Sequence, residues 1–187
     1  MTLYTFISEE ELNILNETGK LVCDPSKVEP FYINAYDFMS SCLEKKCPKP
    51  DKAITYPRWA WYSWENSRNV PDTGILEFYP DMYLLEIDVP DNEVLLSDYD
   101  NWHFCLNYIY LPKTDEEDDW FESQKPYLTD DALKKRIRNS WLNIFDKDFP
   151  NRFITDENEH SVQAVFWILY KNQVKKITYI KGREEND

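Results

Sequence analysis

The sequence predicts an α+β fold in a single domain, with a mixed or mainly antiparallel sheet flanked by about four helices. Two kinds of segment carry this reading. Runs rich in β-branched and aromatic residues with period-two alternation occur near both ends and in the middle, and capped runs with helical apolar spacing lie between them. A length of 187 residues suits one domain with a core of its own. Residues 1–187 are therefore read as one unit, with 181–187 a frayed tail.

Residues 3–7 (LYTFI) open the chain as a strand. Ser8 followed by Glu11 has the spacing of a capping box, Leu12 and Leu15 face inward, and Gly19 ends the helix. Residues 21–23 form a short extended return. A second helix starts at Pro30, where a missing N–H costs nothing, and Phe31, Ala35, Phe38, Met39 and Cys42 fall on one face. Pro48 and Pro50 close it, and a loop follows to residue 57.

Residues 58–65 (RWAWYSWE) form a strand with large aromatics on both faces, which marks it as central. Alternation puts Trp59, Trp61, Ser63 and Glu65 on one side and Ala60, Tyr62 and Trp64 on the other. A polar loop spans 66–74. Residues 83–89 (YLLEIDV) alternate cleanly, 90–92 turn the chain, and 94–96 make a short strand. Ser97 caps a third helix whose buried stripe is Trp102, Cys105, Leu106 and Ile109. Residues 114–119 (TDEEDD) read as an acidic surface loop. Thr129 caps a fourth helix with Leu133, Ile137, Trp141 and Ile144 inside. After an irregular polar segment at 146–160, residues 163–169 and 174–180 are two strands joined by 170–173, with a helix over 163–173 as the competing reading.

Composition removes several functions. Only three glycines occur, none clustered, so a phosphate-cradling loop of the P-loop or Rossmann kind is excluded. A net charge of −14 argues against non-specific nucleic-acid binding, which needs Lys and Arg. It suits a soluble protein or one that meets a basic partner. No export signal or membrane-length apolar run is seen, so a cytoplasmic location is expected and the four cysteines read as reduced thiols. The two histidines and the cysteine spacing complete no zinc site, and no metal is expected.

Four constellations remain. Trp59, Trp61, Tyr62 and Glu65 can wall a pocket for a flat ring, with the carboxylate reading a donor edge; the alternative is a plain aromatic core strand. Asp100 and His103 are i, i+3 neighbours able to orient a base, or merely a surface pair. Gln163 precedes an apolar strand, where a carboxylate would have suggested catalysis. Lys134, Lys135, Arg136 and Arg138 form a basic cluster, read as a solvated helix face, with a phosphate contact as the other option.

The stretches LYTFISEEELNILNETGKLVCDPS, AYDFM, YPRWAWYSWE, LLEIDVPDNEVLLSDYDNWH and QAVFWILYKNQVKKITYI resemble an uncharacterised bacterial family, a domain of unknown function found in Gram-positive bacteria and their mobile elements. The resemblance runs along almost the whole chain. The order of elements is also similar to small ADP-ribosyltransferase-like folds, including the DNA-modifying toxin type. In that family the opening strand reads L-Y-H-F, and Leu3, Tyr4 and Phe6 match, but Thr5 stands where the ribose-binding His is expected. Its late strand begins with a catalytic Glu, and here Gln163 holds that place.

This resemblance implies a pocket for a nucleotide or related small molecule, with NAD as the cofactor it would take. Trp59, Trp61, Tyr62 and Glu65 would line it, and Thr5 and Gln163 would stand at the reacting end. Cleavage of a nicotinamide–ribose bond passes through an oxocarbenium-like state that a carboxylate stabilises. A Gln cannot supply that charge, so the chain is either a binder without catalysis or one that uses another acid, Glu65 or Glu86. Two rivals stand beside it. One is an acidic, non-enzymatic interaction or inhibitor protein that covers a basic partner surface. The other is a hydrolase or transferase built on Asp100 and His103.

Overall fold

The computed structural model describes residues 1–65, 67–68, 71, 80–150 and 160–182. The chain opens with β1 (Thr2–Ile7), in which Leu3, Thr5 and Ile7 are buried in alternation. Ser8 then caps α1 (Glu9–Thr18). Its hydroxyl accepts the Glu11 N–H at 3.2 Å, and the Glu11 carboxylate accepts the Ser8 N–H at 3.1 Å. This reciprocal box satisfies two amides that the helix start would leave orphaned. Gly19, at φ 76°, ends the helix and returns its N–H to the Leu15 carbonyl.

β2 (Lys20–Leu21) pairs with β7 (Leu169–Tyr170) as a small separate sheet. The second helix, α2 (Ile33–Lys46), starts later than the expected Pro30. Pro30 opens a 3-10 turn, Pro30–Tyr32, and Phe31 is 70% exposed instead of joining the buried face. The tighter turn, with three residues per repeat, rotates Phe31 off the stripe formed by Ala35, Phe38 and Met39.

β3 (Arg58–Ser63) and β4 (Met82–Asp88) follow. Between them, most of the polar loop read at 66–74 lies outside the described residues. β5 (Leu95–Asp98) leads directly into α3 (Tyr99–Leu106). The cap is Asp98, whose carboxylate accepts the Asn101 N–H at 2.7 Å, and not Ser97, which belongs to the strand. Ile109 is 52% exposed and leaves the predicted stripe, because the helix stops at Leu106 and Tyr108 turns the backbone to φ 55°.

The segment read as an acidic loop is the cap and first turn of α4 (Asp115–Gln124), with the Thr114 hydroxyl accepting the Glu117 N–H. Asp115, Glu116, Glu117 and Asp118 suit a helix start, where the macrodipole favours negative charge. With α5 (Asp130–Ser140), capped by Thr129, the described residues hold five α-helices, in keeping with the expected count of about four. β6 (Val162–Phe166) and β8 (Val174–Ile180) confirm strands over helix in the last third. Of the polar 146–160 segment, 151–159 lie outside the described residues, as do 183–187 of the expected tail.

The main sheet has the order β5-β6-β3-β1-β4-β8, with every neighbouring pair antiparallel. One face carries Leu3, Ile7, Ala60, Leu85, Ile87, Ala164 and Phe166, and packs on Leu15 of α1 and on the small sheet. The other face sends Trp59, Leu95 and Val165 against α2, α3, α4 and α5, where Met39, Trp102, Phe121, Ile137 and Trp141 meet. Among the described residues no helix is long and apolar enough to cross a membrane.

Candidate functional site

β3 is a strand because Trp and Tyr fit a pleated, half-buried surface, and it is central because both its faces have a core to meet. Its register builds the site. Ser97, Gln163, Trp61, Tyr4, Glu86 and Lys176 are successive cross-strand partners from one edge of the sheet to the other. Directly opposed residues share a face, so this row lies on the helix-covered side at one end and on open sheet at the other. β1 runs paired with β4 from Thr2 to Ile7, but its ladder with β3 carries the single pair Tyr4–Trp61. At Phe6 and Trp59 that ladder has no further rung. Instead the Thr5 hydroxyl donates to the Trp59 carbonyl at 2.9 Å.

A cleft of about 370 Å³ opens at this point. Its sheet side is made by Thr5 and Phe6 of β1, Trp59, Ala60 and Trp61 of β3, and Gln163 of β6. Its helix side is Tyr36 of α2 and one face of α3: Tyr99, Trp102, His103 and Leu106. Two ring clusters form these walls. Trp59 lies 5.0 Å from Trp102 and 5.8 Å from Tyr36, while Trp61 meets Tyr99 edge-on at 4.9 Å, and Tyr99 meets His103 at 5.0 Å. Edge-to-face pairs such as Trp61–Tyr99 and Tyr99–His103 are favourable arrangements of aromatic rings.

The polar groups are few. Gln163 is 7% exposed and lines the cleft, and among the described residues its amide forms no hydrogen bond. Thr5 is 4% exposed, and its hydroxyl proton is committed to Trp59. The His103 Nδ1 faces the carbonyls of Tyr99 and Asp100 at 3.1 and 3.2 Å. Carbonyls only accept, so Nδ1 is the donor in these contacts. Burial, with smaller contributions from Cys23 and Tyr32, pushes the Tyr36 phenol up and keeps it a neutral donor. No Asp or Glu is among the described residues that line the cleft.

A second hollow of about 240 Å³ shares Thr5, Phe6, Tyr36 and Trp59 as a common wall. Arg58 lies here, 8% exposed, donating to the Glu11 carboxylate at 3.0 Å and to the Val22 carbonyl at 3.2 Å. Asp24, Lys27 and Cys23 complete its charged side. Burial raises the Cys23 thiol, with Arg58 offsetting only part of that effect, so the thiolate needed for nucleophilic chemistry is disfavoured.

Several predicted residues stand elsewhere. A bulge between Trp61 and Ser63 breaks the alternation of β3. Trp64 consequently packs edge-on against Trp61 at 4.6 Å, on the side assigned to Trp61 and not on that of Tyr62. Glu65 leaves the strand, adopts φ 46° in the turn closed by Trp64 and Ser67, and is exposed. Tyr62 packs against the α1-side core, with Arg68 over its ring. Neither Glu65 nor Tyr62 lines the cleft. Glu86 shares the row but sits three strands from Gln163, about 14 Å at ordinary strand spacing. Asp100 reaches His103 with its main-chain carbonyl in the contact described above.

Sequence reasoning missed Tyr36, Tyr99, Trp102, Phe6 and Leu106 as cleft residues. Tyr99, Trp102, His103 and Leu106 fall at i, i+3, i+4 and i+7, the spacing of one helix face, although only Trp102 and Leu106 belong to the stripe expected from the sequence. It also missed a pair at the start of α3: His160 Nε2 lies 2.7 Å from the Asp98 carboxylate, and the neighbouring Ser161 hydroxyl accepts the Glu65 N–H at 3.0 Å. None of the basic cluster lines the cleft: Lys134 and Lys135 are exposed, and Arg136 lies over the Trp120 ring at 5.1 Å. Among the described residues no three or more His, Cys, Asp or Glu gather where they could hold a metal ion.

A family model for a domain of unknown function, DUF3841, matches residues 2–175. The chain belongs to the DUF3841 family. The matched span includes every residue that lines the cleft, from Thr5 to Gln163. Neither a curated protein nor a solved structure matches the chain.

Proposed function

We propose that the aromatic cleft binds the planar ring of a nucleotide, with NAD among the candidates, and that the protein is an ADP-ribosyltransferase-like binding domain that lacks the transferase carboxylate. The observation that carries the reading is convergence. The first strand, the tryptophan strand and the strand that begins near Gln163 are the segments on which the resemblance rests, and they are neighbours in the sheet and line one cleft. Its volume lies within the roughly 300–1,000 Å³ typical of small-molecule sites. A base stacked on an aromatic face gains about 1–3 kcal/mol, and the half-buried Trp59, Trp61 and Tyr99 offer three such side chains, with the buried Trp102 behind them. The adjoining hollow, where Arg58 and Lys27 stand beside Glu11 and Asp24, gives the ribose portion a place to extend.

The same cleft argues against transfer chemistry. An oxocarbenium-like state needs a nearby negative charge, whereas Gln163 is neutral and Glu65 and Glu86 stand away from it. Binding without turnover is therefore the expected behaviour. The test is titration with NAD, AMP and nicotinamide mononucleotide while following Trp fluorescence and melting temperature. A ligand at 100 times its Kd stabilises by about 2.7 kcal/mol; no change with any of the three at millimolar concentration removes the reading.

A second reading rests on a different surface. Four acids fill the first turn of α4, and Trp120 of the same helix is 49% exposed. This combination suits a basic protein partner, with the aromatic as anchor. Salt-dependent capture of a basic partner that is lost in Trp120→Ala would support it; capture insensitive to salt and to that substitution would not.

A further inference from the structure

The position of Gln163 says more about the ligand than the size of the cleft does. The residue is on an inner strand, between β5 and β3, and is opposed by Ser97 on one side and Trp61 on the other. Neither neighbour satisfies its amide. Trp61 has only an indole N–H to offer, and no bond joins it to Gln163. The Ser97 hydroxyl is itself buried and without a hydrogen-bond partner. A carboxamide presents one acceptor oxygen and one donor NH₂ side by side. The residue is 7% exposed and lines the cleft, so the cleft is the outlet of its amide. A ligand group of the right complement placed there replaces the water that the amide otherwise meets.

We infer that the ligand of this cleft carries, on one edge of its ring, a hydrogen-bond donor beside an acceptor, and that Gln163 reads this edge in a two-bond pairing. The inference rests on the cleft being a ring site, as proposed above. It narrows the ligand class to rings such as adenine, whose exocyclic amine and adjacent ring nitrogen pair with a Gln amide, or pyridine carboxamides. Rings that offer acceptors alone, or apolar edges alone, leave one half of the amide unpaired. Most of the surrounding wall is aromatic and does not distinguish one heterocycle from another. Tyr36 and His103 are also polar, but Gln163 is the lining residue that presents a donor and an acceptor side by side.

The experiment compares matched probes by Trp fluorescence titration on the full chain. Adenosine is set against purine riboside, which lacks the exocyclic amine, and nicotinamide against 3-acetylpyridine, which replaces the amide NH₂ by CH₃. In the natural protein at least one amine-bearing probe binds about tenfold or more tightly than its partner, the range expected for leaving a buried polar group unpaired. In Gln163→Leu, of similar size but apolar, that ratio falls to near one while the purine riboside or 3-acetylpyridine arm still binds. Gln163→Glu, which keeps an acceptor and loses the donor, retains an intermediate ratio, and cooperative melting at temperatures no lower than that of the natural protein shows both variants are folded. Equal binding within both pairs in the natural protein, or a ratio that survives Gln163→Leu, overturns the inference while leaving the ring site standing. Absence of binding by all four probes removes the ring site and the inference together.

Discussion

Gln163 stands directly across the β6–β3 ladder from Trp61, so a buried amide and a tryptophan share the face of the sheet that opens into the cleft. That pairing has a thermodynamic consequence independent of any ligand. The amide bonds to none of the described residues and faces the cleft, so an apolar side chain in its place breaks no bond of the fold. Gln163→Leu should therefore leave stability unchanged or raise it by up to about 1 kcal/mol, the pattern expected where a site trades stability for recognition. Urea denaturation checks this; a loss larger than about 1 kcal/mol would mean that the amide is satisfied by the fold.

Glu65 sits at φ 46°, the left-handed region that costs a non-glycine residue roughly 1 kcal/mol. Its N–H is held by the Ser161 hydroxyl at 3.0 Å. Glu65→Gly relieves the strain, and the melting temperature is expected to rise by several degrees or less. Ser161→Ala removes the restraint and should lower it. A fall in melting temperature for Glu65→Gly would show that the carboxylate has a structural partner that outweighs the strain.

Gly19 occupies φ 76° with no neighbouring atom within 4 Å of an added Cβ. Substitution there is a test of backbone alone. Gly19→Ala is expected to cost about 1–2 kcal/mol, and Gly19→Asn less, since Asn tolerates this conformation best among the other residues. Equal costs for the two in thermal denaturation would point to packing that the open surroundings do not provide.

Trp141 is 0% exposed and donates its indole N–H to the Ile109 carbonyl at 2.7 Å. Trp141→Ala should cost about 3–5 kcal/mol. Trp61→Ala, at a half-buried cleft position, should cost clearly less and abolish probe binding in the cleft. Paired denaturation and titration curves separate the two roles; loss of binding in both, with equal destabilisation, would deny the cleft its separate function.

Burial, reinforced by its hydrogen bond to Glu117, raises the Tyr110 phenol to about 12. The sign follows from linkage. The folded state holds the proton more tightly than the unfolded state, whose phenol titrates near 10. The contribution is thus complete below about pH 10 and is lost as pH rises toward about 12. Melting temperature should fall through that window, and Tyr110→Phe should flatten the fall. An unchanged slope in the variant would place the alkaline sensitivity elsewhere, with Tyr179, raised to about 12 by its bond to Asp81, as the next phenol to test.

Much of the architecture was legible from local rules. The Ser8–Glu11 box, the Gly19 stop, the Thr129 cap and the alternation of residues 83–89 act over a few residues, and the structure repeats them. Errors arose where one local signal hid another. Acidic density concealed the Thr114-capped α4, and Ser97 was preferred to Asp98 as a cap although either side chain can accept an amide. The central place of the tryptophan strand was also visible in the residues themselves. Tertiary structure alone decided which residues meet. The bulge after Trp61 moved Trp64 across the strand and Glu65 out of it. The single rung between β1 and β3 left space at Phe6 and Trp59. Strand order put Glu86 three strands from Gln163, and α3 closed the cleft with Tyr99, Trp102 and His103. Local propensity is a property of neighbouring residues, whereas register, bulges and strand order come from contacts between distant segments, and a binding site is made of those contacts.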